Sequence, residues 1–321
     1  MDPGSLESQP LTIHISVVIP VFRSREMLPR LHQRLVMAVS PLDPDFELIL
    51  VEDDGGDGSW ESIVELSRHD PRVHGIRLAR NYGQHNALLS GIRAARGEII
   101  ITLDDDLQNP PEEISALLVR LEEGFDVVYG TPESQQHGLM RNLASHITKL
   151  ALQEAMGAQT ARKVSSFRVF RARLRDAFAY YRSPSVNIDV LLTWGTTRFT
   201  AVPVKHEPRP SGQSGYTLRK LITHAINMMT GFSTLPLQVA SLLGLAFSIF
   251  GAGILVYVLS RYMLEGTAVP GFPFLASIIA LFSGVQLFAL GIIGEYLARM
   301  HFRSMDRPPY TERSTTKLHQ I

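Results

Sequence analysis

Short apolar, β-branched runs alternate with amphipathic stretches along roughly the first 130 residues. The runs predict strands at Ile13–Ile19, Phe46–Val51, Val73–Leu78, Ile99–Leu103 and Val127–Tyr129. The stretches between them predict helices around Arg25–Val39, Trp60–Arg68, Gln84–Ala95 and Glu112–Glu122. Strands that alternate with helices in this way are typical of an α/β domain with a mostly parallel sheet and helices on both faces.

The last third of the chain is dominated by two long uncharged stretches. Lys, Arg, Asp and Glu are absent between Lys220 and Arg261, and the part at 235–260 exceeds the roughly 20 residues that cross a bilayer. A second uncharged stretch predicts another transmembrane helix at about 272–294. The alternative is that both stretches form buried helices of a soluble core.

Basic residues flank the two predicted transmembrane helices. Arg219 and Lys220 precede the first, and Arg299 and Arg303 follow the second. Under the positive-inside rule, both ends of the chain and the α/β domain face the cytoplasm, on the inner side of the cytoplasmic membrane. Apolar residues within 216–232 predict an amphipathic helix that lies along the membrane surface.

These patterns predict five parts of the chain. They are a disordered lead at 1–10, an α/β domain at 11–215, the surface helix at 216–232, the two transmembrane helices within 233–298 and a cytoplasmic tail at 299–321. The N-terminus lacks a basic region followed by an apolar core, so we expect no signal peptide. The sequence has no cysteine, which excludes disulfides and thiolate chemistry. The 31 basic and 31 acidic residues cancel, which gives no support to a nucleic-acid partner.

Three acids, Asp104–Asp106, follow the apolar run Ile99–Leu103 directly. In a parallel sheet they would lie at the exposed carboxyl end of a strand, where α/β domains bind ligands. Asp104 and Asp106, with the amide oxygen of Gln108, could hold a hard divalent cation that keeps positions open for phosphates. The alternative is an acidic turn that only caps the next helix.

Candidate ligand-binding residues also follow three other predicted strands directly. They are Pro20, Glu52 with Asp53, and Arg80 with Asn81. Because the carboxyl ends of parallel strands meet at one edge of a sheet, these residues predict a nucleotide-binding crevice. Carboxylates after the second strand can accept hydrogen bonds from a base or a ribose, and the glycines that follow let a backbone approach closely. Taken alone, that segment is also explained as a simple acidic turn.

Several motifs occur in a fixed order along nearly the whole chain, from Val17-Val18-Ile19-Pro20-Val21 to Gly294-Glu295-Tyr296-Leu297-Ala298-Arg299. The most specific of them are Arg80-Asn81-Tyr82-Gly83-Gln84-His85, Leu103-Asp104-Asp105-Asp106-Leu107-Gln108-Asn109-Pro110-Pro111-Glu112 and Arg209 through Tyr216. This ordered set resembles the polyprenyl-phosphate glycosyltransferases of family 2, the group that includes dolichol-phosphate mannose synthase and the bacterial undecaprenyl-phosphate aminoarabinose-type transferases. The resemblance implies a GT-A fold, a Rossmann-like α/β arrangement, for the domain at 11–215.

The resemblance further implies an enzyme that moves a sugar from a nucleotide-sugar to a polyprenyl phosphate, with Mg²⁺ or Mn²⁺ as cofactor. UDP is the expected nucleotide and undecaprenyl phosphate the expected acceptor, giving a lipid-linked sugar for the cell envelope or for lipid A modification. The implied donor-binding residues are Pro20, Phe22, Glu52, Asp53, Arg80, Asn81, Gln84, Asp104 and Asp105. The implied metal ligands are Asp106 and Gln108, with Asp104. Departures from the family occur at Arg23-Ser24, in the acidic turn Glu52-Asp53-Asp54-Gly55, in Lys163-Val164-Ser165-Ser166-Phe167-Arg168 and at Gly215. They leave the base and the sugar open.

A phosphate acceptor needs positive charge more than it needs a general base. A phosphate monoester is largely a dianion at neutral pH and is already a nucleophile. Arginine binds phosphate oxygens bidentately, and the candidates are Arg141, Arg168 and Arg209, with Ser214 and Tyr216 as neutral hydrogen-bonding groups of a lid loop. Asp189 is interpreted as an ordinary surface acid or an ion-paired acid rather than as a base. The predicted step is an in-line displacement at the anomeric carbon with inversion.

Two other functions fit parts of the sequence. A processive polysaccharide synthase would share the fold, but neither Trp60 nor Trp194 stands in a Gln-x-x-Arg-Trp element, and two spans are few for a channel. A non-catalytic membrane scaffold that binds nucleotide or lipid would explain the altered acidic turn. Small residues in the apolar stretches, Gly251 and Gly253 among them, also allow the helices to pack into a homo-oligomer.

Overall fold

A computed structural model describes residues 14–132, 164–207, 235–265 and 271–316. The strands are β1 (Ile15–Val21), β2 (Glu47–Glu52), β3 (Val73–Leu78), β4 (Ile99–Thr102), β5 (Val127–Pro132), β6 (Arg168–Arg171), β7 (Phe199–Val204) and β8 (Glu312–Thr315). The helices are α1 (Leu28–Val39), α2 (Ser59–His69), α3 (Gln84–Ala94), α4 (Ile114–Glu122), α5 (Ile188–Thr193), α6 (Leu235–Glu265) and α7 (Phe272–Ser304). Short 3-10 helices occupy Pro111–Glu113 and Ala172–Phe178.

The eight strands form one sheet in the order β7-β5-β6-β4-β1-β2-β3-β8. Strand β1 lies between β2 and β4 and is parallel to both, and β2–β3 and β5–β7 are also parallel pairs. Strand β6 runs antiparallel to β4 and β5, and β8 runs antiparallel to β3. The predicted α/β fold with a mostly parallel sheet is confirmed. The strands and helices predicted within about the first 130 residues are all present.

Both faces of the sheet are covered by helices, because successive side chains of each central strand point to opposite faces. In β1, Val17 and Ile19 belong to the core that includes the buried residues of α1 and α4. Val18 belongs to the opposite core, which contains the buried side chains of α3 and α5. Helix α1 contributes one stripe at helical spacing: Leu28, Leu31, Leu35 and Val39.

Helices α6 and α7 are long and apolar enough to cross a membrane, over Pro236–Val258 and Leu281–Ala298. None of either window is buried inside the protein, so these are not core helices of a soluble domain. The two helices contact each other where the rings of Phe247 and Phe282 meet edge to face, with centroids 5.7 Å apart. Their outward faces expose large apolar side chains, among them Leu242, Ile249, Leu287 and Phe288.

Strand β8 follows α7 and returns to the edge of the sheet beside β3. The sequence predicted a cytoplasmic tail at 299–321, and within that range Thr315 and Ser314 pair with Ile76 and Arg77. Its side of the membrane stays a prediction. The sequence of β8, Glu-Arg-Ser-Thr, has no apolar alternation, so backbone pairing and not burial places it there. The predicted surface helix at 216–232 and the predicted lead at 1–10 lie outside the described residues.

Candidate active site

A cavity of about 280 Å³ opens at the carboxyl edge of the sheet. Its lining residues are Pro20, Val21, Phe22, Asp53, Asn81, Gly83, Gln84, Asp104, Asp105 and Asp106. The fold therefore brings together all of the predicted donor-binding residues except Glu52 and Arg80. Their contacts with a donor stay predictions.

The carboxylates after β4 are held by several different contacts. Asp104 accepts hydrogen bonds from the Gln84 amide and, at 2.6 Å, from the Ser166 hydroxyl. The backbone N–H of Phe22 donates to Asp105 at 3.1 Å, and burial raises the pKa of the Asp105 carboxyl to about 6 against that opposing contact. Asp106 accepts from the backbone N–H of Gln108 at 3.1 Å. The three carboxylates are thus fixed at the cavity before any ligand binds.

Leu107 gives the turn after these acids its shape. Its φ is 57°, a left-handed value that non-glycine residues seldom adopt, and its side chain is buried in the core beneath the cavity. Packing of this side chain stabilises the strained backbone. The bend at Leu107 turns the chain away from the direction of β4. Asp104–Asp106 then line the cavity, while the Leu107 side chain packs in the core.

The acids after β2 contact the protein's own backbone. Glu52 is buried, accepts from the Gly55 N–H at 2.6 Å and forms an ion pair with Arg77 at 3.1 Å. Asp53 accepts from the N–H groups of Tyr82 and Gly83 at 2.7 and 2.8 Å. Burial raises the pKa of both carboxyls above their ordinary values, and the backbone donors oppose that shift. These contacts do not favour the predicted role of Glu52 at a donor, whereas Asp53 lines the cavity.

Gly55 allows a close approach inside the protein. A Cβ there would lie 2.8 Å from the backbone nitrogen of Arg23, too short for any other residue without displacement. The turn after β2 therefore packs against the chain that leaves β1. Asp57 accepts from the Ser59 hydroxyl and from the Arg25 N–H, which ties the start of α2 to the same place. The acidic turn after β2 thus supports the wall of the cavity through its contacts with residues 23–25.

Arg168 is buried beneath the site. Its guanidinium forms an ion pair with Asp189, and its Nε donates to the Thr102 hydroxyl at 3.0 Å. Asp189 also accepts from the Tyr129 hydroxyl at 3.0 Å, and burial raises the pKa of that phenol well above its ordinary value. The interpretation of Asp189 as an ion-paired acid fits this geometry. A direct contact between Arg168 and a phosphate is disfavoured, because the guanidinium is inside the domain and already paired.

The buried ion pair is connected to the cavity. The Thr102 hydroxyl donates to the backbone oxygen of Ser166 at 2.9 Å, and the Ser166 hydroxyl donates to Asp104. Arg168 is therefore connected to Asp104 through Thr102 and Ser166, and its Nε also donates to the Ser166 backbone oxygen directly at 3.5 Å. The antiparallel pairing of β4 with β6 creates this path, since it sets Thr102 opposite Arg168.

The residues that follow β7 are hydrogen-bonded to the turn that carries Asp104–Asp106. The Glu207 backbone N–H donates to the Gln108 carbonyl oxygen at 2.9 Å. Arg34 of α1 binds the carboxylates of both Glu112 and Glu207, with hydrogen bonds between 2.8 and 3.1 Å. These hydrogen bonds lower the pKa of both glutamates below the ordinary value.

The remaining predicted residues divide into two groups. Arg80 is exposed, with its guanidinium stacked 4.4 Å from the centroid of the Tyr82 ring, and Gln108 contacts the turn through its backbone. Neither lines the cavity. The predicted residues Arg141, Arg209, Ser214 and Tyr216 lie outside the described residues, and their roles stay predictions.

Comparison with known proteins identifies the family. A family model described as Glycosyl transferase family 2 matches residues 16–183. Proteins named undecaprenyl-phosphate 4-deoxy-4-formamido-L-arabinose transferase, from Salmonella choleraesuis (strain SC-B67) and Salmonella newport (strain SL254), are 36% identical over 299 residues, which cover 92% of this chain and 91% of each relative. The chain belongs to glycosyl transferase family 2. It is a glycosyltransferase.

A solved structure shows the same fold as this glycosyltransferase. The crystal structure of mannosyl-3-phosphoglycerate synthase from Rubrobacter xylanophilus matches with a TM-score of 0.50 at 17% identity, over 81% of this chain and 79% of that one. At this identity the likeness shows architecture only. The GT-A-like fold that the resemblance implied is confirmed.

Three residues that position parts of the glycosyltransferase site were not singled out from the sequence. Ser166 lies two residues before the candidate Arg168, in a stretch that departs from the family pattern, but nothing in the sequence indicates that it contacts Asp104. Thr102 reads as part of a buried strand. Arg34 reads as the polar face of an amphipathic helix. Contacts between distant segments give each of them its role, and a single sequence carries no signal for such contacts.

The oxygen ligands available in the glycosyltransferase fit a cation whose coordination is completed by substrate phosphates. Among the described residues, no group of three or more His, Cys, Asp or Glu is arranged as a preformed metal site. Asp104 and Asp106 nevertheless line one cavity, and Mg²⁺-type ions are commonly held by one or two carboxylates together with substrate phosphates. Hard oxygen ligands of this kind suit Mg²⁺ or Mn²⁺.

Proposed function

We propose that this glycosyltransferase transfers a sugar from a UDP-linked donor to undecaprenyl phosphate at a membrane surface, with Mg²⁺ or Mn²⁺ bound at Asp104 and Asp106. The observation that carries the proposal is the 36% identity to undecaprenyl-phosphate 4-deoxy-4-formamido-L-arabinose transferases over 92% of the chain. A match of that length includes the apolar helices as well as the sheet. The product is a lipid-linked sugar for the cell envelope or for lipid A modification.

The cavity at the carboxyl edge supports the donor half of the proposal. Asp104 and Asp106 line it, and they would hold the cation, with Gln108 as a further predicted ligand. A bound divalent cation neutralises charge on the departing diphosphate. Phe22, 44% exposed at the cavity, offers an apolar surface to a base. Hydrogen bonds from Gln84 and Ser166 keep Asp104 oriented, so little reorganisation is needed when a donor arrives.

The acceptor half follows from the chemistry of phosphate. An oxygen of the phosphate dianion forms a bond to the anomeric carbon while the bond from that carbon to the diphosphate oxygen breaks, which inverts the configuration. No proton has to be removed from the nucleophile. The structure shows no described arginine at the cavity lining, and Arg168 is buried. Arg209 and Arg141 are therefore the proposed phosphate ligands. The hydrogen bond from the Glu207 N–H to the Gln108 carbonyl oxygen holds Glu207, two residues before Arg209 in sequence, beside the predicted metal ligands.

Membrane attachment through α6 and α7 supports a lipid acceptor. The exposed apolar faces of both helices need a non-aqueous environment. Strands β1 and β8 belong to one sheet although α6 and α7 separate them, which supports a hairpin with both ends on the domain's side.

The absence of native cysteine permits a clean test of this topology by single-cysteine labelling. We expect Ser304→Cys to be labelled only from the domain's side of oriented vesicles and Thr267→Cys only from the opposite side.

A transfer assay with the purified full chain tests the function. Undecaprenyl phosphate and Mn²⁺ are incubated with labelled UDP-sugars, beginning with UDP-4-deoxy-4-formamido-L-arabinose, and label in the organic phase is measured. We expect transfer from one donor, its loss with EDTA and its return with added Mg²⁺ or Mn²⁺. Undecaprenol, which lacks the phosphate, is the matched acceptor control and should receive no sugar.

Other outcomes of the assay contradict the proposal. A product with several sugars per lipid would indicate a processive synthase. Equal transfer to undecaprenol would show that the phosphate is not the nucleophile. Binding of nucleotide without transfer from any UDP-sugar would overturn the proposed donor class.

A further inference from the structure

Two large aromatic side chains are exposed on the α/β domain outside the donor cavity. Tyr180 follows the 3-10 helix Ala172–Phe178 and is 90% exposed, and Trp194 follows α5 and is 54% exposed. Both line one open cavity of about 390 Å³. Large aromatic side chains are mostly buried in folded proteins, so two of them at one place on the surface indicate a surface that binds something.

The loop that carries Tyr180 is held in one position. Phe178 and Tyr181, on either side of it, are buried in the core that contains α3 and α5. The Arg93 guanidinium donates to the backbone oxygens of Ala179 and Tyr181, at 3.0 and 2.6 Å. The exposed position of Tyr180 therefore follows from the packing and hydrogen bonds of its neighbours.

Trp194 packs against the same loop. Its ring meets the Tyr181 ring edge to face, with centroids 5.6 Å apart. Arg182, the next residue of the loop, lines the cavity as well, and its side chain is largely exposed. We call Tyr180, Tyr181, Arg182 and Trp194 the aromatic patch. It combines exposed rings with an exposed cation.

The aromatic patch contacts the chain that has just left the second apolar helix. Helix α7 ends at Ser304, and Asp306 has a φ of 48°, a left-handed value that turns the chain out of the helix. The Asp306 carboxylate forms an ion pair with Arg182, with an N–O distance of 2.9 Å. The Tyr310 ring lies 5.8 Å from the guanidinium of Arg93, the arginine that also holds the loop of the patch. The patch is therefore fixed beside the end of α7.

The length of α7 sets how far this point lies from the membrane. The candidate span Leu281–Ala298 is followed by residues 299–304 of the same helix. Six residues correspond to about 9 Å of helix, and less along the bilayer normal when the helix is tilted. The headgroup layer on each side of the hydrocarbon core is roughly 5–8 Å thick. The ion pair of Asp306 with Arg182 thus lies at the outer boundary of that layer.

We infer that the aromatic patch binds the surface of the bilayer and holds the α/β domain against the headgroup layer. The inference rests on the membrane attachment of α6 and α7 proposed above and is independent of which sugar or acceptor the enzyme uses. Rings of Tyr and Trp are favoured at the level of the headgroups, and an arginine can bind lipid phosphate. The continuity of the patch with α7 favours lipid over a second protein chain as its partner.

The two tryptophans of the chain permit a direct test. Trp194 belongs to the patch, whereas Trp60 lies on α2 and packs against the core on the opposite face of the sheet. Full-length Trp60→Phe and Trp194→Phe proteins, each with one tryptophan left, are reconstituted into phosphatidylcholine–phosphatidylglycerol vesicles. The lipids carry a nitroxide quencher either on the headgroup or near the end of an acyl chain.

We expect the headgroup nitroxide to quench the fluorescence of Trp194 more strongly than the deep nitroxide does, and neither nitroxide to quench Trp60. Quenching of Trp194 by water-soluble acrylamide but not by lipid would overturn the inference, because the patch would then face water. Protection of Trp194 from both quenchers would also overturn it, since protein would then cover the patch. Equal quenching of both tryptophans by lipid would contradict contact through one particular surface.

Substitution of Tyr180 tests whether the patch acts as a unit. In the protein that retains Trp194 alone, we expect Tyr180→Ser to reduce quenching of Trp194 by the headgroup nitroxide. Val119→Ser, which changes an exposed apolar residue of α4, is the matched control and should leave the quenching unchanged. Thermal unfolding midpoints should stay near the starting value in both, because both side chains are exposed. Unchanged quenching in Tyr180→Ser would overturn the inference.

Flotation of the same vesicles separates this inference from the membrane attachment on which it rests. A protein that floats with the vesicles while Trp194 is not quenched by lipid keeps its attachment through α6 and α7, and the inference alone fails. A protein that does not float contradicts both. No substrate is present, so quenching that follows the expected pattern supports the inference even if the proposed sugar transfer fails.

Discussion

The backbone N–H of Glu207 donates a hydrogen bond of 2.9 Å to the carbonyl oxygen of Gln108. This contact joins the end of β7 to the turn that carries Asp104 and Asp106. Arg34 reinforces it by binding the carboxylates of Glu207 and Glu112 together. Glu207, two residues before the candidate Arg209 in sequence, is therefore held at the turn that carries the predicted metal ligands.

Substitution of Asp106 by asparagine tests the predicted metal site. We expect Asp106→Asn to lower kcat by at least about 100-fold, because neutralisation of charge by a bound cation is worth several kcal/mol in the transition state. Asparagine keeps an oxygen that can accept from the Gln108 N–H, 3.1 Å away in the wild type, so the turn should persist. Transfer rates at saturating substrates check this. Glu61→Gln, an exposed acid of α2, is the control, and equal loss in both variants would contradict a specific role.

Arg168 and Asp189 test the buried ion pair. We expect Arg168→Met to destabilise the protein by about 3–5 kcal/mol, because it leaves the Asp189 carboxylate buried without its partner. The variant that combines Arg168→Met with Asp189→Leu should regain most of the stability, since no charge is left unpaired. Denaturant unfolding in detergent measures both. If the single variant were as stable as the wild type while transfer was lost, Arg168 would act on a phosphate instead.

The carboxylates bound by Arg34 give a dependence of stability on pH. Because the pKa values of Glu112 and Glu207 are lowered in the folded protein, their contribution is present above the ordinary glutamate pKa of about 4.3. It is lost as the pH falls through the lowered folded values. We expect the difference in unfolding midpoint between wild type and Arg34→Met to be constant from about pH 8 to 5 and to shrink below about pH 4. Both carboxylates are partly exposed, so the difference is small.

Arg68→Met is the control for that comparison, because Arg68 is an exposed arginine of α2. Its difference from the wild type should be near zero at every pH. A difference for Arg34→Met that stays constant down to pH 3 would show that packing of the Arg34 side chain, and not charge, causes the effect.

Gly91 tests the packing of α3 on the sheet. A Cβ at Gly91 would collide with the Val18 side chain and lie 3.0 Å from Cγ2 of Val51. We expect Gly91→Ala to destabilise the fold by about 1–3 kcal/mol and to weaken nucleotide binding, because α3 begins at Gln84 in the cavity wall. Unfolding midpoints and nucleotide titrations measure the two effects. In Gly253→Ala a Cβ meets no atom within 4 Å, so that variant should be neutral.

The strands and helices up to α4 were predictable because their cause is local. Apolar runs such as Ile99–Leu103 must be buried on both sides, and the amphipathic spacing in α1 permits one buried stripe. The residues that end these strands were predictable as a group, since the carboxyl ends of parallel strands share an edge. Strands β6, β7 and β8 were not predicted. Strands β6 and β8 are short polar or mixed segments that are hydrogen-bonded to a neighbouring strand.

The amino-acid sequence alone determined the α/β class, the sheet edge where the site lies, the acids at that edge and the two apolar helices, because burial of apolar residues and strand direction fix each of them. Only the tertiary structure decided what the individual polar residues contact. Glu52 and Asp53 are adjacent in sequence, but Glu52 pairs with Arg77 and Asp53 holds the loop of Tyr82. Arg168 faces Asp189 beneath the sheet, away from the cavity. A hydrogen bond depends on distances of a few tenths of an ångström between segments far apart in the chain, and these distances exist only in the folded protein.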